Sequence, residues 1–211
     1  MSNNFRTEQE SFWAGEFGND YITRNNDEKI IAANINLFTK VLRTTNGVNS
    51  IIEFGSNIGL NLLAIKNILP GIKLSAVEIN KKAFEILKDI PGVEAYNETI
   101  LNYVPKYPRT LALIKGVLIH INPNELPSVY DLLYKASSKY ICIAEYYNPM
   151  PVSVNYRGNT DRLFKRDFAG EMLDRFKDLR LLDYRFSYHR DNNFPQDDIN
   201  WFLLEKVSKN N

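Results

Sequence analysis

Two acids and two glycines in the first half of the chain have the types and spacing of a ligand site. In Ile51 to Leu62, IIEFGSNIGLNL, Glu53 stands just before a turn bracketed by Gly55 and Gly59, and an apolar helix start follows. A strand, a glycine turn and a helix N-terminus together offer backbone amides to a ligand. A side chain at Gly55 or Gly59 would obstruct close approach to that backbone, while Ser56 and Asn57 can add polar contacts around an amino-acid end. A carboxylate at Glu53 repels a pyrophosphate and favours a ligand bearing an ammonium and a sulfonium. Glu78 lies 23 positions after Gly55 (78 − 55), near the spacing of about 20 at which an acid meets ribose hydroxyls. A glycine loop alone also serves ordinary turns. Joined to two acids, it favours S-adenosyl-L-methionine as the cofactor over a dinucleotide. Ile79 and Lys115 are assigned to the same cofactor site with Asn97, and one of Asn97, Glu98 and Thr99 is expected beside the adenine.

Methyl transfer from a sulfonium is an in-line displacement, so positioning the nucleophile roughly 3 to 3.5 Å from the methyl carbon matters most. An oxygen or nitrogen acceptor must also lose a proton, which calls for a base. His120, in GVLIHINP after the fourth strand, is the first candidate, with packing of the loop as the alternative. Glu145 and Tyr147, at the end of the fifth strand, are further catalytic candidates. Tyr146, Asn148, Tyr156, Arg157 and Arg166 are expected to bind the acceptor. Arg157, Arg162, Lys165 and Arg166 form a basic cluster that could clamp a carboxylate or phosphate, or simply be solvated. His189 reads as a surface residue.

These residues need a scaffold that brings strand ends to one edge. Ile51 to Phe54, Lys73 to Ile79, Val93 to Tyr96, Leu111 to Ile114 and Tyr140 to Glu145 read as strands, with helices over Leu60 to Leu69, Lys81 to Lys88 and Glu125 to Ser137. Such crossovers imply parallel strands. Pro149 to Lys165 reads as irregular, followed by a helix from about Asp167 to Phe176. Two last strands, Arg180 to Tyr188 and Ile199 to Val207, have a linker too short for a crossover helix, so they are antiparallel. The fold expected is α/β and Rossmann-like: a seven-stranded, mostly parallel sheet with an antiparallel last strand. Residues 1–42 are expected to form an N-terminal helical lid or extension and residues 43–211 one cofactor-binding domain.

Composition is that of a globular chain, with 44% hydrophobic and 24% charged residues. A formal net charge of +1 supplies no field that would favour nucleic acid or an anionic membrane as a partner. Met1 to Glu10 is polar, without the apolar core of a secretory signal, so a cytoplasmic location is expected. Cys142 is the only cysteine, which excludes an internal disulfide and a cysteine metal cluster. It reads as a buried thiol, and no metal site is assigned.

The motifs FWAGEFGNDYITRN at Phe12, GVLIHINP at Gly116, AEYYNPMPVSVNYRG at Ala144, RLFKRDFAGEML at Arg162 and FPQDDINWFLLE at Phe194 span nearly the whole chain. In them the sequence resembles the class I methyltransferases linked to pseudaminic acid biosynthesis. The resemblance implies S-adenosylmethionine-dependent methylation of a small acceptor such as a sugar, sugar nucleotide or nonulosonic acid. It also implies that Trp13, Tyr21 and Arg24 belong to a lid over the cofactor. The chain departs from the general GxGxG pattern, because Ser56 to Ile58 separates Gly55 from Gly59. The competing functions are a noncatalytic binding or scaffold protein and a nicotinamide-dependent oxidoreductase; for the second, the chain lacks GxGxxG.

Overall fold

The computed structural model describes residues 5–25 and 27–207. The first part of the polar N-terminal stretch, Met1 to Asn4, lies outside the described residues. Three helices open the fold: α1 (Glu8–Ala14), α2 (Glu16–Arg24) and α3 (Glu28–Leu42). α1 starts at Glu8 because Thr7 and Glu10 form a capping box that satisfies its first amides. Asp27 caps α3 through the amide of Lys29.

Then strands and helices alternate: β1 (Ser50–Phe54), α4 (Leu60–Ile68), β2 (Lys73–Glu78), α5 (Lys81–Leu87), β3 (Val93–Asn97), β4 (Arg109–Lys115), α6 (Leu126–Ala136) and β5 (Ser137–Glu145). Further on come β6 (Val152–Tyr156), β7 (Asn159–Lys165), α7 (Phe168–Arg175), β8 (Leu179–Ser187) and β9 (Ile199–Lys206). The main sheet has seven strands in the order β3-β2-β1-β4-β5-β9-β8. β1 to β5 run parallel, and β9 is antiparallel to both of its neighbours. β1, β4 and β5 read as nearly continuous apolar runs because helices cover both faces of a parallel sheet.

One face packs Ile52, Val77 and Ile114 against Leu133 of α6 and Met172 of α7. The other packs Ile51, Leu113 and Trp201 against Leu62 of α4 and against Leu37, Phe38 and Val41 of α3. The last three make α3 part of the sheet's core, whereas α1 and α2 lie over the strand ends. A boundary after residue 42 therefore cuts through that core rather than around a lid. Cys142 is fully buried in it, and burial pushes its thiol up to about 12.

Pro149 to Lys165, read as irregular, contains the hairpin β6–β7, a separate two-stranded sheet. Arg157 and Gly158 form its two-residue loop with φ of 51° and 81°, and Tyr156 pairs with Asn159 across it. Two consecutive positive φ values match the twist of a hairpin. Arginine at the first of them conceals a turn that Asn-Gly would announce. No helix among the described residues is long and apolar enough to cross a membrane.

Candidate active site

The carboxyl ends of β1, β2 and β4 meet where the strand order reverses, the place at which open α/β sheets bind ligands. A cavity of about 280 Å³ opens there, close to the low end of the range, roughly 300 to 1,000 Å³, that small-molecule sites occupy. Its floor is the loop Gly55 to Ile58 with Glu78, Ile79 and Asn80 beside it; Lys115, Gly116 and His120 form one wall. Trp13 and Tyr21 from α1 and α2 roof it, and Gln196 and Asp197 from the β8–β9 turn close the remaining side.

Gly55 and Gly59 both have left-handed backbones, with φ of 74° and 83°. A Cβ on Gly55 would sit 2.5 Å from Val117, and one on Gly59 would sit 2.4 Å from Ile90. Close packing inside the protein therefore accounts for both glycines, and Gly59 does not border the cavity.

Glu78 does border it. Each of its carboxylate oxygens accepts a backbone amide at 2.7 Å, from Asn57 and from Asn80. Burial raises its pKa against the pull of those two donors. Glu53 lies one layer deeper, fully buried. One of its oxygens accepts from Asn61 at 2.6 Å and the other has no partner among the described residues. Burial pushes its pKa up to about 7, opposed by Asn61 and by the charge of Lys115. The expectation that Glu53 faces the ligand is corrected: its carboxylate reaches the cavity through Lys115 and Asn61, which do line it. Lys115 has no hydrogen bond or ion pair among the described residues, and burial lowers its pKa.

His120 sits in a short 3-10 turn after β4, 7% exposed. Its Nδ1 lies 2.6 Å from the carbonyl of Arg162. A carbonyl only accepts, so Nδ1 carries the proton and Nε2 is left as an acceptor. Burial takes its pKa down to about 4. Its ring lies 4.5 Å from Trp13 and 5.1 Å from Tyr156. Glu145 accepts the amides of Val117 and Leu118 at 2.9 and 2.8 Å, which holds that turn in place. Burial pushes it up to about 7.

Other expected residues lie elsewhere. Tyr147 is exposed and packs beside Phe202. Asn148 folds back onto the carbonyl of Met150. Tyr146 is partly buried under the Lys165 ammonium. Tyr156 stands behind His120, and Arg157 is spent on the hairpin turn. The expected basic clamp is dispersed: Arg166 pairs with Glu171 at 2.5 Å and Arg162 with Glu8 at 3.0 Å. Arg24 points over the Phe17 ring, outside the cavity. Asn97 donates to the carbonyls of Glu78 and Ile79, steadying the end of β2 rather than facing a ligand.

Asn80 escaped the sequence reading. Its Oδ1 accepts the amide of Ala83 and caps α5, while its Nδ2 donates to the Trp13 carbonyl at 3.2 Å and to Asn19 at 3.1 Å. An Asn before a helix announces the cap, but nothing announces its grip on the roof. Glu10, bonded to Thr99, and Gln9, bonded to the carbonyl of Asp161 at 2.9 Å, fasten α1 to the loops around the cavity. Asp197 was missed too, hidden in a polar turn.

No protein-family model matches the chain, and no curated protein sequence does. Solved structures do. The chain is similar to the 1,6-didemethyltoxoflavin-N1-methyltransferase of Burkholderia thailandensis, with bound 1,6-didemethyltoxoflavin and S-adenosylhomocysteine. The two are 10% identical over 94% of this chain and 87% of that one, with a TM-score of 0.70. It is also similar to magnesium protoporphyrin IX methyltransferase from Synechocystis with bound S-adenosylmethionine, 7% identical over 97% and 100% of the two chains, with a TM-score of 0.66. A plantazolicin methyltransferase in complex with S-adenosylhomocysteine, 13% identical over 94% of each chain, gives 0.64. At these identities the likeness is one of fold, the Rossmann-like fold that these methyltransferases share.

Proposed function

We propose that this chain transfers the methyl group of S-adenosyl-L-methionine to a small acceptor. The cavity between the Gly55 loop and Glu78 carries the reading. Each Glu78 oxygen accepts one amide and keeps a further lone pair, which suits a pair of ribose hydroxyls. Asn57 and Ser56 then lie toward the amino-acid end of the cofactor. The sulfonium points toward Lys115 and His120, above the buried carboxylates of Glu53 and Glu145. α1 and α2 act as a lid that excludes water from the transfer, with Trp13 and Tyr21 as its inner surface.

The cavity's size and its roof favour a small acceptor. A sugar, sugar nucleotide or nonulosonic acid is the class suggested by motif resemblance, and mass spectrometry of such pools would reveal a product heavier by one methylene unit. The dispersed arginines supply no clamp for an acceptor carboxylate or phosphate, which favours the neutral sugar within that class, recognised by the neutral Nε2 of His120 and by polar groups of the β8–β9 turn. Calorimetry tests the cofactor reading. S-adenosylmethionine and S-adenosylhomocysteine are expected to bind and NAD is not; no binding of the first two at millimolar concentration removes the proposal.

A further inference from the structure

We propose that Lys115 is the catalytic base, its Nζ taking the proton from a hydroxyl or amine acceptor. This rests on the methyltransferase reading above and adds to it the class of acceptor. Lys115 is the last residue of β4, at the edge of the sheet where the cavity opens, and it borders that cavity. Its ammonium has no hydrogen bond and no ion pair among the described residues. Three acids act on its charge through space: Glu53 from β1, Asp197 from the β8–β9 turn and Glu145 from β5.

The rival bases are occupied or unsuited. His120 has Nδ1 committed to the Arg162 carbonyl, and with a pKa near 4 its Nε2 is a weak base at neutral pH. Glu145 gives one oxygen to two amides of the turn it holds and does not border the cavity, and Glu78 is tied to the amides of Asn57 and Asn80. Tyr21 is pushed up to about 12 by burial and carries its own proton. Lys115 and Asp197 are left; Lys115 is fixed on a strand end rather than on a turn, and burial depresses its pKa in the direction a base requires.

The step balances without any further reactant. The acceptor's O–H or N–H bond breaks as its proton passes to the Nζ lone pair. The acceptor's lone pair forms the new bond to the methyl carbon, and the carbon–sulfur bond breaks with its electron pair remaining on sulfur. S-adenosylhomocysteine leaves as a neutral thioether. One positive charge has moved from the sulfonium to the ammonium, so the net charge of the cavity is unchanged and little reorganisation is needed. An acceptor without a removable proton, such as a carboxylate, gains nothing from such a base.

The test needs neither an acceptor nor a variant. The wild-type chain is pulse-labelled with limiting acetic anhydride from pH 6 to 11, with and without saturating S-adenosylhomocysteine, and acetylation of Lys115 is read by peptide mass spectrometry. The expected result is a titration midpoint at least one unit below the ordinary lysine value of about 10.4, with labelling slowed at least tenfold by S-adenosylhomocysteine. A midpoint at or above the ordinary value, as for a lysine that clasps a carboxylate of the cofactor, overturns the proposal. So does labelling indifferent to the ligand. Calorimetry on the same sample keeps the two readings apart: absent binding of S-adenosylhomocysteine sinks the methyltransferase reading, whereas binding with an ordinary Lys115 sinks the base alone.

Discussion

At the scale of single residues, His120 shows how burial decides what a side chain can do. An imidazole with an ordinary pKa near 6.5 would titrate across the working range of most enzymes. Here burial takes it to about 4 and the Arg162 carbonyl fixes the proton on Nδ1. His120 is thus a neutral hydrogen-bond acceptor on the cavity wall, the part it plays in the proposed reaction being to orient an acceptor's proton. Nitrogen-15 NMR of the imidazole is expected to show the Nδ1–H tautomer and a midpoint near pH 4; a midpoint near 6.5 would contradict this account. Removing the ring leaves the Arg162 carbonyl unpaired, so His120→Ala should cost about 1 to 3 kcal/mol in urea unfolding at pH 7.

At the scale of elements, one link between the α1–α2 corner and the sheet is Asn80. It caps α5 with its oxygen and holds the α1–α2 corner with its nitrogen, and its amide reaches Glu78. Gly18 makes that closeness possible, since a Cβ there would lie 1.9 Å from the Trp13 carbonyl. The two functions of Asn80 separate chemically. Asn80→Asp keeps the cap and loses the donor, so hydrogen exchange is expected to speed up in α1 and α2 by about tenfold while α5 stays protected. Asn80→Ala should loosen both and cost about 1 kcal/mol more for the lost cap. Equal protection of α1 in wild type and Asn80→Asp would show that the corner is held by other contacts. This latch also marks where the sequence stops being readable. The strands were legible because apolar runs between glycine and proline punctuate βαβ units, and the reversed β9 because Arg190 to Asp198 is too short for a crossover helix. That Gly55, Ser56, Asn57, Glu78 and Lys115 share one cavity was legible for the same reason, since they sit at or just after strand ends that the topology brings together. The grip of Asn80 on Trp13 joins residues 67 positions apart, and only folding reveals it. The same holds for the pairing of Arg166 with Glu171, which dissolves a clamp that looked sound in a linear reading.

At the scale of the whole molecule, three buried groups tie stability to pH and to the charge of the ligand. Glu53 and Glu145 are both raised from 4.5 to about 7, and His120 is lowered from 6.5 to about 4. Between pH 4.5 and 6.5 the folded chain keeps two carboxyl protons that the unfolded chain has released, while the unfolded chain holds one imidazole proton that the folded chain lacks. The folded state therefore binds a net excess of one proton, and stability falls as pH rises through this window. From 6.5 to 7 the histidine no longer opposes, and the fall steepens. Each carboxyl shift of about two and a half units corresponds to roughly 3 kcal/mol, and the histidine returns a similar amount with the opposite sign. Urea unfolding is expected to find the ligand-free chain about 3 kcal/mol less stable at pH 8 than at pH 4.5. The Glu53→Gln, Glu145→Gln double variant should weaken that fall, because only Glu78, also raised by burial, is then left against the histidine. A wild-type stability that rises over this range would mean that both acids are ionised in the folded chain. A cationic ligand changes the balance, since a sulfonium above two ionised carboxylates recovers part of what their burial costs. S-adenosylmethionine should therefore gain affinity over neutral S-adenosylhomocysteine as pH rises through 7, and the double variant should lose that preference. An affinity ratio that does not change with pH would separate the buried acids from the cofactor and leave them as internal supports of the 3-10 turn and of α4.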